Sequence, residues 1–144
     1  MSPSDCIFCD ISSGKSDTIL EVETDEFAIF KDIRPASKHH YLIVTKEHYE
    51  SLMTLDKSHG KMILRMEKAM KDFFKSKGIS LKEAVFGFHM PPFISVKHLH
   101  LHGVSPYSKV ILNHYRFEPS APWFKNAKEA QAYLIEGRKV LVAP

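Results

Sequence analysis

The stretch His98-Leu99-His100-Leu101-His102 decides how this chain is read. Polar and apolar residues alternate strictly along it, and successive side chains on a β-strand point to opposite faces. The three imidazoles therefore share one face, and Leu99 and Leu101 share the other. The leucines give the strand a core to pack on. The imidazoles form a row with successive rings roughly 6.5–7 Å apart. Thr, Lys or Glu would serve a merely solvated face equally well, so a histidine row points to chemistry. Neutral imidazole is a nucleophile and a metal ligand, and its unperturbed pKa of about 6.5 lets it carry a proton near neutrality. Adjacent ligands on one flat strand diverge from a single tetrahedral centre, whereas a catalytic three-histidine zinc site needs its nitrogens within about 2.1 Å of the ion. A division of labour fits the row better, with the central ring attacking and an outer ring donating protons or steadying charge. Such a site suits phosphorus: a ring nitrogen displaces a leaving group, and water then hydrolyses the phosphohistidine.

Outward from this motif, strict alternation predicts a strand over Lys97–Ser105. Upstream, Ile19–Glu23 and Phe27–Lys31 read as strands hinged at Thr24-Asp25-Glu26, and His39–Val44 reads as a mostly buried strand. Between them Asp32–Lys38 is a loop, because Pro35 cannot pair in a ladder and biases Arg34 away from helix. Met62, Ile63, Met66, Ala69, Met70, Phe73 and Phe74 recur at three- and four-residue steps and predict a helix over Asp56–Lys77, capped by Asp56 and ended by Gly78. Its other face carries Lys57, Lys61, Arg65, Lys68 and Lys75, which reads as a solvated face rather than a nucleic-acid surface. Ala84–Phe88 is a short strand, Met90–Ser95 a proline-bearing loop, and Asn126–Gly137 a second, shorter helix. Strands outnumber helices and connections are short, so an α+β fold is expected: an antiparallel sheet with one long and one shorter helix packed on it, in a single domain spanning residues 1–144.

The 144 residues are 44% hydrophobic and 26% charged, the balance of an ordinary globule. A formal charge of +3 tolerates anionic ligands without the footprint of a dedicated nucleic-acid binder, so nucleic acid is not an expected partner. No apolar run reaches the length of a membrane span, and no basic stub leads into an apolar stretch at the N-terminus. A cytoplasmic protein, with the nucleus as a further location, is expected. Cys6 and Cys9 stand at a spacing that suits a metal clamp or a redox pair better than a structural staple.

His98-Leu99-His100-Leu101-His102-Gly103-Val104 resembles the signature of the histidine triad superfamily of nucleotide hydrolases and transferases, in which histidines alternate with apolar residues. The resemblance extends through Phe30–Pro35, His39–Val44, Lys46-Glu47-His48 and the Cys6-Ile7-Phe8-Cys9 opening. Gly87-Phe88-His89-Met90-Pro91-Pro92-Phe93 is similar to the Hint-like branch nearest aprataxin. Gly103 stands where the pattern has an apolar residue, which implies an altered strand end such as a bulge.

The resemblance implies roles residue by residue. His100 is the nucleophile that becomes nucleotidylated at the α-phosphate. His102 contacts the phosphate or bridging atom and helps protonate the departing amine, which otherwise would leave as a very poor amide anion. Ser95 hydrogen-bonds near the scissile bond, and His89 takes the place of a polar residue, often Asn, that faces the leaving group. Asp32 binds the ribose, since a carboxylate accepts hydrogen bonds from both hydroxyls. Ile7, Phe8, Ile11, Phe30 and Ile33 wall the purine, and His40 is a buried histidine that orients the triad. Cys6, Cys9, His48 and His98 resemble the structural zinc set of some members, a closed tetrahedral arrangement that does not activate water. In that case His98 is a ligand, and His100 and His102 carry the chemistry. Two reduced, partly buried thiols would satisfy the same spacing.

The leading expectation is a hydrolase that cleaves purine nucleoside phosphoramidates or acyl-nucleotides, of the AMP-lysine kind, to the nucleoside monophosphate, with no organic cofactor. Removal of adenylate from 5′-adenylated DNA, as in aprataxin, is the second. Against it stand the charge of +3 and the absence of any cysteine after Cys9 for a following zinc finger. A nucleotide-binding adaptor with vestigial catalysis is the third, and the intact histidine face argues against it. By family analogy a homodimer is expected.

Overall fold

The computed structural model describes residues 5–110, 114–119 and 121–136. In chain order its elements are α1 (Ile7–Ser12), β1 (Val22–Glu23), β2 (Phe27–Lys31), β3 (His39–Thr45), α2 (Gly60–Ser76), β4 (Val85–His89), β5 (His100–Ser105), β6 (Phe124–Lys125) and α3 (Ala127–Ile135). The strands form one sheet in the order β1-β2-β3-β5-β4-β6, with each neighbouring pair antiparallel. The expected α+β architecture is therefore the observed one. No helix of the described residues is long and apolar enough to cross a membrane.

The two faces of the sheet do different work. Ile29, Tyr41, Ile43, Phe86, Phe88, Leu99 and Leu101 form one core with the apolar stripe of α2 and with Ala127, Ala130, Tyr133 and Leu134 of α3. Met66, Met70 and Phe74 are among its most deeply buried members. On the opposite face α1 covers Ala28, Phe30, Leu42 and Val44 with Phe8, Cys9 and Ile11. Because Leu101 goes to the α2 side, period-two alternation within β5 (His100–Ser105) delivers His100 and His102 to the other.

Several boundaries differ from the sequence reading. The α-helix starts at Gly60 rather than Asp56, because the Asp56 carboxylate accepts the Ser58 amide and closes a separate 3₁₀ turn over Lys57–His59. Its end is as expected: Gly78 takes φ of 71°, and the Ile79 amide returns to the Phe74 carbonyl. On its outer face Arg65 pairs with Glu26, Lys68 with Asp72 and Lys71 with Glu67, the pattern of a solvated face. Only Val22–Glu23 of the predicted first strand is in the ladder, and Ile19 is exposed. The second helix closes at Ile135 behind an Asn126 cap paired reciprocally with Glu129, and Gly137 lies outside the described residues. Two elements have no counterpart in the sequence reading. Both α1, at six residues, and β6, at two, are too short to show periodicity.

The strand predicted over Lys97–Ser105 begins only at His100. Gly103, expected to mark a bulge, instead pairs in regular register with Tyr41 on one side and Phe86 on the other. Its reason is on the α2 face. A Cβ there would stand 2.9 Å from Met70 Cγ and 3.0 Å from Phe74 Cζ, so the missing side chain lets the helix press directly on β5.

Candidate active site

Three adjacent strands supply the polar centre of the second face. On β5, His102 is paired with Leu42 of β3 and Gly87 of β4. His40 and His89 sit two residues from those partners, so both reach His102 diagonally across the sheet. His40 Nε2 lies 2.9 Å from His102 Nδ1, and His102 Nε2 lies 3.2 Å from His89 Nδ1.

The ends of this chain determine where its protons are. The Ala36 amide donates to His40 Nδ1 at 2.9 Å, so that nitrogen is bare and the His40 proton is on Nε2. At the far end His89 Nε2 faces the Arg116 carbonyl at 2.8 Å, an acceptor only, so Nε2 of His89 is protonated and its Nδ1 is bare. His102 between them must accept on Nδ1 and donate from Nε2. Ala36, His40, His102, His89 and Arg116 thus form one directional series in which every ring is neutral and satisfied. Asp32 Oδ2, at 3.3 Å, shares the His40 Nε2 proton.

Burial keeps the rings uncharged. It is the largest influence on His40, held at about 4 against the opposing pull of Asp32, and on His89, held at about 3. His102 is lowered well below the ordinary histidine value by burial and then by the neighbouring rings and Arg116.

His100 is oriented separately. Its Nδ1 donates to the His98 main-chain carbonyl at 2.6 Å, which leaves the Nε2 lone pair free. The ring stands edge-on to Phe8, with centroids 5.0 Å apart, and lines a cavity of about 310 Å³. Phe8, Ile11, Phe30 and Leu42 wall that cavity, with Ile7 and Ile33 at its rim. Ile33 is 85% exposed and Ile7 51% exposed, which core packing alone does not explain, while Phe8, Ile11 and Phe30 serve core and cavity at once. A second cavity of about 810 Å³ adjoins the other side of His102 and is lined by Arg34, Lys109, Arg116, Phe117 and His40. Asp32, Arg34, Ser95 and His102 line both. Asp32 Oδ1 accepts the Arg34 amide at 2.7 Å, and a carboxylate so engaged still has lone pairs for hydroxyl donors.

His89, expected toward a leaving group, lines neither cavity. Both of its nitrogens are engaged, and its ring packs on Phe117 and Phe124, so it stands behind His102. Phe117, Arg116 and Lys109 escaped the sequence reading. They lie after the motif, in a stretch with no periodicity, and return to the site only through the fold.

His98 belongs to a different cluster. Its Nε2 donates to the Thr45 carbonyl at 2.8 Å, leaving Nδ1 3.2 Å from Cys6 Sγ, 3.4 Å from Cys9 Sγ and 3.2 Å from His48 Nδ1. Cys9 Sγ is 3.2 Å from His48 Nδ1. The four ligand atoms lie within 4.8 Å of one another. Tetrahedral zinc with bonds of about 2.0–2.3 Å separates its ligand atoms by roughly 3.3–3.8 Å, so the donors fit such an ion with small adjustments. Burial raises the Cys6 thiol, an unfavourable place for a bare thiolate unless a cation accompanies it. The Cys9 amide, 3.2 Å from Cys6 Sγ, supplies the hydrogen bond common around such sulfurs. Sequence spacing brought only the two cysteines together. The turn before β5 and the end of β3 bring the two histidines.

A buried histidine strand, a tautomer-locked neighbour and an apolar pocket beside them are the site of a histidine triad protein, and this chain belongs to that superfamily. Residues 5–115 match the family described as scavenger mRNA decapping enzyme C-term binding. Adenosine 5'-monophosphoramidase HINT3 of Danio rerio is 34% identical over 143 residues, covering 95% of this chain and 86% of that protein. The protein of the same name from Xenopus tropicalis is 39% identical over 127 residues, covering 86% of this chain and 83% of its own. Among solved structures, a histidine triad protein from Clostridium difficile superposes with a TM-score of 0.68 at 28% identity, over 72% of this chain and 92% of that one.

Proposed function

We propose that this protein hydrolyses adenosine 5′-phosphoramidates and related adenylates to AMP through a nucleotidyl-His100 intermediate. The observation that carries the reading is the His100 tautomer. With Nδ1 committed to the His98 carbonyl, the Nε2 lone pair is free beside a pocket sized for a base and ribose. In this reading Phe8, Phe30, Ile7 and Ile33 flank the purine, and Asp32 accepts the ribose hydroxyls. His102 and Ser95, at the junction of the two cavities, contact the phosphate. His40 acts through His102 as a positioning residue. The phosphoramidase names of relatives that align over most of their length favour an amine leaving group.

Attack by Nε2 on the α-phosphorus forms the N–P bond while the bond to the leaving nitrogen breaks, and that nitrogen must gain a proton to depart as an amine. His102 is neutral in the free protein. An anionic phosphate arriving beside it offsets the burial cost of a proton on Nδ1, with the His40 Nε2–H turning to Asp32 and the His102 Nε2–H turning from His89 to the leaving nitrogen, so substrate binding itself favours the acid form. Water then cleaves the N–P bond, releasing AMP and restoring the His100 lone pair.

Zinc at Cys6, Cys9, His48 and His98 is part of the same proposal, as a closed structural site that ties α1 to the catalytic strand. A cytoplasmic or nuclear setting, where thiols stay reduced, accords with two free cysteines in the cluster. A homodimer is carried over from the family.

The deciding experiment is mass spectrometry of protein quenched during turnover. A nucleotidyl adduct on His100 is expected, with turnover lost by at least ~10³-fold in His100→Ala while nucleotide binding persists. An adduct elsewhere, or wild-type turnover in His100→Ala, overturns the assignment.

A further inference from the structure

The helix that walls the nucleoside cavity is built on two of the four clustered donors. Cys6 is the N-cap of α1, where its Sγ accepts the Cys9 amide at 3.2 Å and its carbonyl accepts the Asp10 amide at 3.1 Å. Ile7 and Phe8, the residues between the two cysteines, both line the cavity beside His100. Phe8 also stands between the cluster and His100. Its ring centroid is 6.1 Å from that of His98 and 5.0 Å from that of His100, edge-on to both. A helix of six residues does not hold its shape alone, so the position of Ile7 and Phe8 depends on what anchors α1.

The two sides of the cluster are anchored unequally. On the strand side, His98 Nε2 donates to the Thr45 carbonyl at 2.8 Å and the Leu99 amide donates to the Tyr49 carbonyl at 2.7 Å. His100 Nδ1 in turn donates to the His98 carbonyl at 2.6 Å. None of these bonds uses a ligand atom of the cluster, so His100 keeps its orientation with or without an ion. On the helix side, Phe8, Cys9 and Ile11 pack on the sheet through apolar contact. Among the described residues, the hydrogen bonds that tie α1 to the strands come from the cysteine sulfurs, at 3.2 and 3.4 Å to His98 and 3.2 Å to His48. Thiols are weak donors, whereas coordination of both sulfurs to one ion with His48 and His98 puts metal-binding energy into the fold of this segment.

Resting on the zinc reading above, we propose that Cys6 and Cys9 are positioning residues for the nucleoside. Held by the ion, they fix Ile7 and Phe8 against the purine, so zinc and a purine nucleotide each raise the protein's affinity for the other. Linkage requires the two effects to be equal in size. Contact with the base is made alike before and during reaction, so loss of the ion raises KM and leaves kcat in place.

The test compares full-length zinc-loaded protein with a sample stripped by a chelator, its fold checked by circular dichroism. The probes are AMP and ribose 5-phosphate, which lacks the purine. AMP should bind the stripped protein about tenfold more weakly, within the usual range of coupling between two sites, and added zinc should restore binding. Ribose 5-phosphate should bind both forms alike. With an adenosine phosphoramidate as substrate, stripping should raise KM about tenfold and leave kcat within about twofold, a split that general loosening of the fold would not give. Should the stripped protein unfold, the reciprocal effect is read on loaded protein alone. At equal occupancy, AMP should then slow zinc transfer to a chromogenic chelator about tenfold more than ribose 5-phosphate does. Equal AMP affinity in the two forms, a parallel loss for ribose 5-phosphate, a fall in kcat at unchanged KM, or equal transfer rates overturn this inference and leave the zinc site standing. Protein that binds no zinc overturns the inference together with the zinc site, and leaves the hydrolase reading to the His100 adduct.

Discussion

His40 Nε2 donates to His102 Nδ1 across 2.9 Å, and this bond fixes which nitrogen of His102 carries a proton. His40 can do so because the Ala36 amide occupies its other nitrogen. The tautomer of His102 is therefore set, through His40, by a main-chain N–H that does not touch the His102 ring. In His40→Phe, His102 loses its donor and can adopt the other tautomer. Steady-state kinetics should show kcat lower by on the order of 100-fold with KM little changed. An equal loss in KM would mean that His40 serves binding instead.

The neutral histidine series makes stability depend on pH. His40 and His89 sit at about 4 and about 3 in the folded protein, below the ordinary value near 6.5. The unfolded chain therefore binds more protons between those values, and folding stability falls as pH drops below about 6.5. Each pH unit that separates folded from unfolded titration of one ring is worth roughly 1.4 kcal/mol. Urea unfolding at pH 7.5 and 5.0 should show the loss, and His89→Asn should flatten it. A wild-type slope in that variant would place the titration elsewhere.

Gly103 is required by the close approach of α2 rather than by backbone conformation. Gly103→Val should cost about 1–3 kcal/mol by overpacking against Met70 and Phe74. Met70→Ala, which opens space at the same spot, should make the double variant cost less than the sum of the singles. Strict additivity in denaturant titrations would show that the two positions do not meet.

Protein prepared without chelator should contain about one zinc per chain. Chelation or Cys9→Ser should lower the melting temperature, because the ion joins α1 to the segment before β5. Metal-free protein of unchanged stability would leave the cluster as two thiols and two imidazoles in a hydrogen-bonded group.

The alternation in 98–102 was enough to place two leucines in a core and three histidines opposite, since a strand's period of two is a property of the backbone. The stripe of α2 and the left-handed Gly78 were legible for the same local reason. Alternation could not show that His98 would leave the row. Its side chain turns to Cys6, Cys9 and His48, which are distant along the chain.

Identity and order of residues alone determined the sheet's two faces, the long helix and the histidine row, because these depend on neighbours a few positions apart. Which proton sits on which ring was decided by the tertiary structure. The Ala36 amide and the Arg116 carbonyl close a hydrogen-bonded series drawn from β3, β5 and β4, and only strand order brings them together. The same holds for the cations beside His102. Arg34 and Lys109 lie far apart in sequence, and both line the larger cavity only once the chain has folded around it.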